Sequence, residues 1–525
     1  MNMGFKKILI ANRGEIAIRI MRASSDLGIS TVAIFSEDDA ESLHRTIADE
    51  SFQLEGQGVF AYLDIEGIIK IAKENGVDAI HPGYGFLAEN ADFTKRCNEE
   101  GIAFIGPNIE HIELFGDKGR ARKAATDAGV PVLKGIDRAV TVEEAKDFFK
   151  SLGESSGMMI KAVAGGGGRG SRAVIKESEL ERAFKRCTSE AKNAFGNGDL
   201  YVEQFIGKAR HIEIQILGDK KGNIIDLGER ECSVQRRYQK IVEIAPAPNL
   251  SDEMRSKIIN AARELAASVN YSNLGTFEFL VDVNAKKDEP GFAFIETNAR
   301  LQVEHTVTEE VTGVDIVQTQ IQLAQGSTLD ELGLDYSGVG TPRGYAIQNR
   351  INMETLSPDG IVRPSGGTLR SYEAPSGPGV RTDGFGYAGY TTSPSFDSLL
   401  AKVITHSANP NFEVAVQRSL RALSEFRIEG VDTNIPFLVN VLNHSDFYDG
   451  SVHTRWVDEN VATLAKEPDV DGPKKWVETQ EVATPAEATQ QASPLTGTAP
   501  VMVDAANPLA LFDYDRQVKD TQKVD

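Results

Sequence analysis

Hydrophobic and polar positions divide the chain into stretches of different period. Residues 8–10 form a short unbroken apolar run of the kind a buried strand carries. Ile16, Ile20, Ala23 and Leu27 then recur at intervals of three and four, one face of a helix that Gly28 ends, and residues 31–35 predict the next strand. The alternation continues through 68–72, 78–80 and 102–105, which predicts an open α/β domain with a mostly parallel sheet. The loop after the first strand, Asn12-Arg13-Gly14-Glu15, lacks the glycine fingerprint of a dinucleotide site. A second unit starts near Asp117 and holds a glycine run, hairpin-like strands and a helix ending near Gly326. A third runs from about Gly344, with strands first and helix from about Phe412. Residues 466–500 are rich in Pro, Ala, Thr, Glu and Gln and poor in apolar anchors, and they read as a linker or tail.

Chemistry enters where this pattern is broken. Residues 158–163 predict a strand, Gly165, Gly166, Gly167, Gly168, Arg169 and Gly170 follow, and another strand starts at Arg172. A Walker A loop needs Gly-Lys-Ser/Thr opening a helix, so this glycine run instead predicts a flap between strands whose bare N–H groups approach phosphate. A plain hairpin tip is the competing reading. Lys118 and Lys161 are candidates for neutralising phosphate charge. Glu278 alternates with Phe277 and Phe279, and Glu296 ends a second strand, so a hairpin would bring both carboxylates together. Two carboxylates and an amide oxygen suit Mg²⁺ or Mn²⁺; two surface glutamates are the alternative.

Residues 296–305 crowd four ionisable groups, Glu296, Arg300, Glu304 and His305, between a strand and a helix marked by Val317, Ile321 and Ala324. Residues 229–240 form a polar, basic stretch, either an anion site or a solvated loop. On the strand 344–352, Gln348, Arg350 and Asn352 share the polar face, from which Arg350 would enter a cleft between the second and third units.

Composition narrows the partners. With 56 basic and 77 acidic residues the net charge is −21, which argues against nucleic acid and an anionic membrane surface. Cys97, Cys187 and Cys232 are odd in number and far apart, which favours a reducing cytoplasm over a disulfide or zinc framework. No apolar run approaches a membrane span.

The motifs KILIANRGEIAIRI at 7–20, HPGYGFLAEN at 81–90, the glycine run at 165–170, HIEIQI at 211–216, GTFEF at 275–279 and QVEH at 302–305 resemble, in order, the biotin carboxylase family of the ATP-grasp superfamily. The resemblance spans about residues 5–450. It implies an α/β chain with a Rossmann-like N-terminal domain (1–116), an ATP-grasp domain (117–335, with a lid at about 132–205), a mixed α/β C-terminal domain (336–461) and a linker or tail (462–525). It implies an ATP-dependent ligase that carboxylates biotin N1 from bicarbonate through carboxyphosphate. By analogy Lys118, Lys161, Glu203, His211, Gln235, Leu280 and the glycine flap would hold ATP, and Glu278, Glu296 and Asn298 the metals. Arg300, Gln302 and the Val303 amide would position bicarbonate, Glu304 would deprotonate it, Arg350 would stabilise the biotin enolate, Lys240 would add an anion contact, and Tyr84 would approach biotin.

Tyr238 stands where the family often has His or Asn, Ile244 replaces the second of two glutamates before Ala245-Pro246, and Thr297 and Ala299 vary the strand end. No Met-Lys-Met biotinylation motif occurs in these residues. The expected partners are therefore a biotin carboxyl carrier and a carboxyltransferase, on other chains or in a longer one, with a homodimer or a larger complex as the assembly. Another ATP-grasp ligase forming carboxyphosphate for an amine acceptor, and a noncatalytic nucleotide-binding subunit, are the alternatives.

Overall fold

A computed structural model describes residues 4–136, 138–152, 157–163, 171–285, 290–334 and 341–467. The chain divides into Met1–Lys475 and Trp476–Asp525; the second unit lies outside the described residues, as does most of the expected tail.

The N-terminal strands β1 (Lys7–Ile10), β2 (Ser30–Phe35), β3 (Glu50–Gln53), β4 (Ala79–His81) and β5 (Ala103–Phe104) form an all-parallel sheet in the order β3-β2-β1-β4-β5. Ile8, Leu9 and Ile10 have no exposed surface, as expected of a strand covered on both faces. The helix Gly14–Asp26 buries Ile16, Ile20 and Ala23 as its period predicts. The strand order reverses at β1 and β4, and open α/β sheets place their ligand clefts at the C-terminal ends of such strands. Here those ends carry Glu15 and Tyr84. Asn12 stitches the two loops by donating to the carbonyls of Pro82 (2.7 Å) and Tyr84 (2.8 Å).

The strands β6 (Gly135–Ile136), β7 (Gly157–Ala162), β8 (Arg172–Val174) and β9 (Leu200–Phe205) form a separate antiparallel sheet in the order β6-β9-β7-β8. Residues 164–170, between β7 and β8, hold the predicted glycine flap and lie outside the described residues.

The largest sheet contains β10 (Ala209–Gly218), β11 (Ile224–Arg236), β12 (Gln239–Ala245), β13 (Asn273–Asp282), β14 (Phe292–Asn298) and β15 (Tyr345–Asn352). Two short ribbons follow, β16 (Glu354–Leu356) with β17 (Val362–Pro364), and β18 (Ser371–Glu373) with β21 (Arg427–Glu429). The strands β19 (Val380–Gly384) and β20 (Leu399–Ser407) complete the large sheet in the antiparallel order β14-β13-β10-β11-β12-β15-β20-β19.

Two expectations change here. The stretch 229–240 is mostly buried strand, and only its turn, Arg237 to Gln239, is exposed. It is most of the β11–β12 hairpin, with Arg230 fully buried, because its polar residues alternate with partners on the neighbouring strand. Arg350 does enter a cavity that residues of the second unit line, but its strand is not a separate wall. β15 is hydrogen-bonded to β12, so one sheet runs through both regions. Behind that sheet Phe277 packs edge-on against Tyr271 and Phe115, and Phe279 against Phe294, so the apolar half of the β13 alternation forms core and the polar half faces away from it.

Candidate active site

The sheet register builds the site. Glu213 on β10 stands opposite Glu278 on β13 and Arg230 on β11, and Glu278 stands opposite Glu296 on β14. Directly opposed residues share a face, so these four form a charged row across four strands. Beside it lies a cavity of about 550 Å³. All sixteen predicted site residues that are described line it: Tyr84, Lys118, Lys161, Glu203, His211, Gln235, Lys240, Glu278, Leu280, Glu296, Asn298, Arg300, Gln302, Val303, Glu304 and Arg350. The six residues of the glycine flap lie outside the described ones.

Lys240 is the hub. Its ammonium donates to Glu213 (2.5 Å), Glu304 (2.6 Å) and Glu278 (3.0 Å). Burial pushes this ammonium towards neutrality, but the three carboxylates outweigh that and hold it well above its ordinary range. Arg350 donates to Glu243 (2.5 Å) and to the second oxygen of Glu304 (3.0 Å). Burial alone would raise the Glu304 carboxyl. Lys240, then Arg350 and Arg230, reverse this and hold it far below the usual range.

Glu278 accepts from Asn298 and Gln302 at 2.8 Å each and pairs with His211 at 2.9 Å. Its carboxyl is also held well below the usual range, burial being outweighed by Lys240 and His211. The carboxylate of its facing neighbour Glu296 has no hydrogen bond or ion pair to another described residue. Arg300 donates to Asn298 (2.8 Å), Leu301 (3.1 Å) and Glu89 (2.9 Å). On the lid side Lys161 pairs with Glu203, and Gln235 contacts His211 at 3.2 Å. Lys118 opens the helix Lys118–Asp127, Leu280 is half-buried at the wall, and the Tyr84 hydroxyl donates to Glu15.

Two carboxylates on adjacent strands, one without a side-chain partner among the described residues, fit a hard divalent cation arriving with a nucleotide triphosphate. Glu278 already receives three donors and lies against His211, so a cation there has to displace Lys240 or His211. The departures also find places. Ile244 is buried in the core beside Ile347, while Glu243 remains to hold Arg350. Tyr238 sits at φ 67° in the β11–β12 turn and is half exposed at the cavity rim.

Sequence reasoning passed over Glu213, Arg230 and Glu243, all with no exposed surface. Glu213 and Glu243 carry the signal that marked Glu278, a charged residue inside an apolar strand alternation, as in Ile212-Glu213-Ile214, whereas Arg230, between Glu229 and Glu231, has no such local signal.

A lid sheet facing a cleft of cations and hard oxygen acceptors defines an ATP-grasp ligase. The sequence matches the patterns of the biotin carboxylase N-terminal domain over residues 4–112, the carbamoyl-phosphate synthase L chain ATP-binding domain over 117–332, and the biotin carboxylase C-terminal domain over 348–459. It is similar to the biotin carboxylase domain dimer of Hydrogenobacter thermophilus 2-oxoglutarate carboxylase, solved with MgADP, ADP and bicarbonate. The identity is 44%, the TM-score 0.82, and the match covers 88% of this chain and 99% of that one. Against a Campylobacter jejuni biotin carboxylase complex the identity is 38% and the TM-score 0.81, covering 87% and 99%.

Pyruvate carboxylase of Staphylococcus aureus is 49% identical over 480 residues, 90% of this chain and 41% of the relative. Mitochondrial pyruvate carboxylase of Homo sapiens is 50% identical over 460 residues, 87% of this chain and 38% of the relative. The chain thus spans about two fifths of the length of these curated relatives. It belongs to the biotin carboxylase family of ATP-dependent ligases. No helix among the described residues is long and apolar enough to cross a membrane.

Proposed function

We propose that the chain uses MgATP and bicarbonate to carboxylate biotin N1, the first half-reaction of a biotin-dependent carboxylase. The observation that carries this reading is Glu304 held between Lys240 and Arg350 on one wall of the cavity. A carboxylate so paired is a poor base. It becomes a useful one when incoming anions draw those cations away, so the base is armed by the substrates it serves. Glu304 then takes the bicarbonate proton while Arg300, Gln302 and the Val303 amide hold the anion. Bicarbonate attacks the γ-phosphorus, ADP leaves, and the carboxyphosphate formed breaks down to CO₂ and phosphate. Phosphate accepts the biotin N1 proton, and Arg350 steadies the enolate oxygen that results. Lys118, Lys161, Glu203, His211, Gln235, Leu280 and the glycine flap hold the nucleotide, and Glu278, Glu296 and Asn298 hold its metal.

Biotin arrives on a carrier, on another chain or on another part of a longer one, and a carboxyltransferase uses the product. The domain limits we assign are 1–116, 117–335 and 336–461, with 462–525 as a linker or tail, and the assembly is a homodimer or a larger complex. The three free thiols support a reducing compartment such as the cytoplasm. An amine acceptor in place of biotin is disfavoured by Arg350, which the Glu243 pair aims into the cavity.

The test is ATP hydrolysis with and without free biotin at saturating bicarbonate. Biotin should stimulate it, and Glu304→Gln should abolish the response. Bicarbonate-dependent hydrolysis indifferent to biotin and to a biotinylated carrier would overturn the acceptor assignment.

A further inference from the structure

One fully buried ammonium has no part in the chemistry above. Lys402 on β20 has no exposed surface. It lies directly opposite Arg350 across the β15–β20 pair, so the two side chains share the face turned to the cavity. Its ammonium donates to the carbonyl of Val303 at 3.1 Å and forms an ion pair with Glu15 at 2.9 Å, with Asp383 at 3.9 Å. Glu15 in turn accepts from the Tyr84 hydroxyl. Glu15 belongs to the N-terminal helix Gly14–Asp26, Val303 to the loop that leads into Glu304, and Lys402 to the C-terminal strands. Three segments far apart in sequence therefore meet on one ammonium.

A buried lysine costs several kcal/mol to desolvate, and an apolar residue of its size would fill the same space at less cost. The cost is explicable if the charge fixes something an apolar side chain cannot. The carbonyl it holds belongs to the residue whose neighbours, Gln302 and Glu304, line the cavity, and the carboxylate it holds orients Tyr84 on the same cavity wall.

We propose that Lys402 is a positioning residue: through the Val303 carbonyl it fixes the 302–304 segment that receives bicarbonate, and through Glu15 it fixes the Tyr84 hydroxyl. This rests on the carboxylase reading of the cavity. Lys402 touches neither substrate, so its removal should weaken the capture of bicarbonate and leave the nucleotide end alone.

The test compares wild type, Lys402→Met and the double variant Lys402→Met/Glu15→Gln in bicarbonate- and ATP-titrated ATP hydrolysis, with urea unfolding alongside. Lys402→Met should raise the KM for bicarbonate at least tenfold and change the KM for ATP less than twofold. In the double variant no buried carboxylate is left without its cation, so stability should return towards wild type. The bicarbonate KM should stay high, because the Val303 carbonyl still lacks its anchor. If Lys402 serves charge balance alone, the double variant recovers both stability and bicarbonate KM, and the proposal fails. It also fails if the bicarbonate KM of Lys402→Met stays within twofold of wild type. Wild-type hydrolysis with no response to bicarbonate would overturn the carboxylase reading and this proposal together, whereas a wild-type response with unaltered variants overturns only the role of Lys402.

Discussion

Replacing Lys240 with Met removes the one cation shared by Glu213, Glu278 and Glu304 while keeping most of the side-chain volume. The three contacts lie between 2.5 and 3.0 Å. Taking one partner from a buried ion pair costs about 3–5 kcal/mol, because the remaining charge stays desolvated. Each carboxylate here keeps a second partner: Arg230 on Glu213 at 2.5 Å, Arg350 on Glu304 at 3.0 Å and His211 on Glu278 at 2.9 Å. The expected loss is therefore about 3 kcal/mol, the lower end of that range, rather than three separate penalties. Burial would then push the Glu304 carboxyl back up, since Lys240 is the largest single influence opposing it. Urea unfolding followed by circular dichroism measures the stability, and bicarbonate-dependent ATP hydrolysis measures the chemistry. Loss of a fixed cation facing a developing anion should lower turnover by about 100-fold or more. A Lys240→Met protein within about 1 kcal/mol of wild type and within threefold of its turnover would refute the hub argument.

Three other outcomes follow from the same network. Arg350→Lys cannot span Glu243 and Glu304 with one point charge, so biotin-stimulated hydrolysis should fall by about 100-fold while bicarbonate-dependent hydrolysis without biotin falls far less, as kinetics at saturating ATP will show. Burial pushes His44 down to about 4 and His81 and His305 to about 3, so near pH 5 the unfolded chain binds about three protons that the folded chain refuses. Their folded values are depressed, so the associated stability is complete above pH 6.5 and falls as pH drops towards 4, by about 4 kcal/mol per unit near pH 5; urea midpoints measured from pH 7 to pH 4.5 will read it. Glu278→Gln removes one of the two facing carboxylates and should raise the Mg²⁺ concentration needed for half-maximal ATP hydrolysis, an effect absent if the cation binds elsewhere.

Much of this was legible in the sequence because period and polarity coincide. Phe277-Glu278-Phe279 announces a strand, a core face and a carboxylate opposite that face all at once. The N-terminal βαβ units are equally plain, since their apolar runs are short and glycine-bounded. The reading failed where a strand is polar on both its flanks. Residues 229–240 look like a loop because Arg230, Glu231 and Gln235 find their side-chain partners on β10 and Glu229 finds Arg255 on the helix Asp252–Ser268, and no local pattern shows a partner 17 or 21 residues away. The continuity of the sheet from β12 to β15 was hidden for the same reason, about a hundred residues separating strands that pair. Lys402 and Glu15, 387 positions apart, gave no signal at all: each reads as an ordinary polar residue until the fold closes around it.

In the function proposed above, this cleft couples ATP cleavage to carboxylation of biotin. The direct measurement is transfer of label from ¹⁴C-bicarbonate into acid-labile carboxybiotin, counted against ADP formed, using free biotin and then a biotinylated carrier. Label should appear in biotin with wild type and be missing with Glu304→Gln. ADP formed in a bicarbonate-dependent way with no label in either biotin form would contradict that coupling.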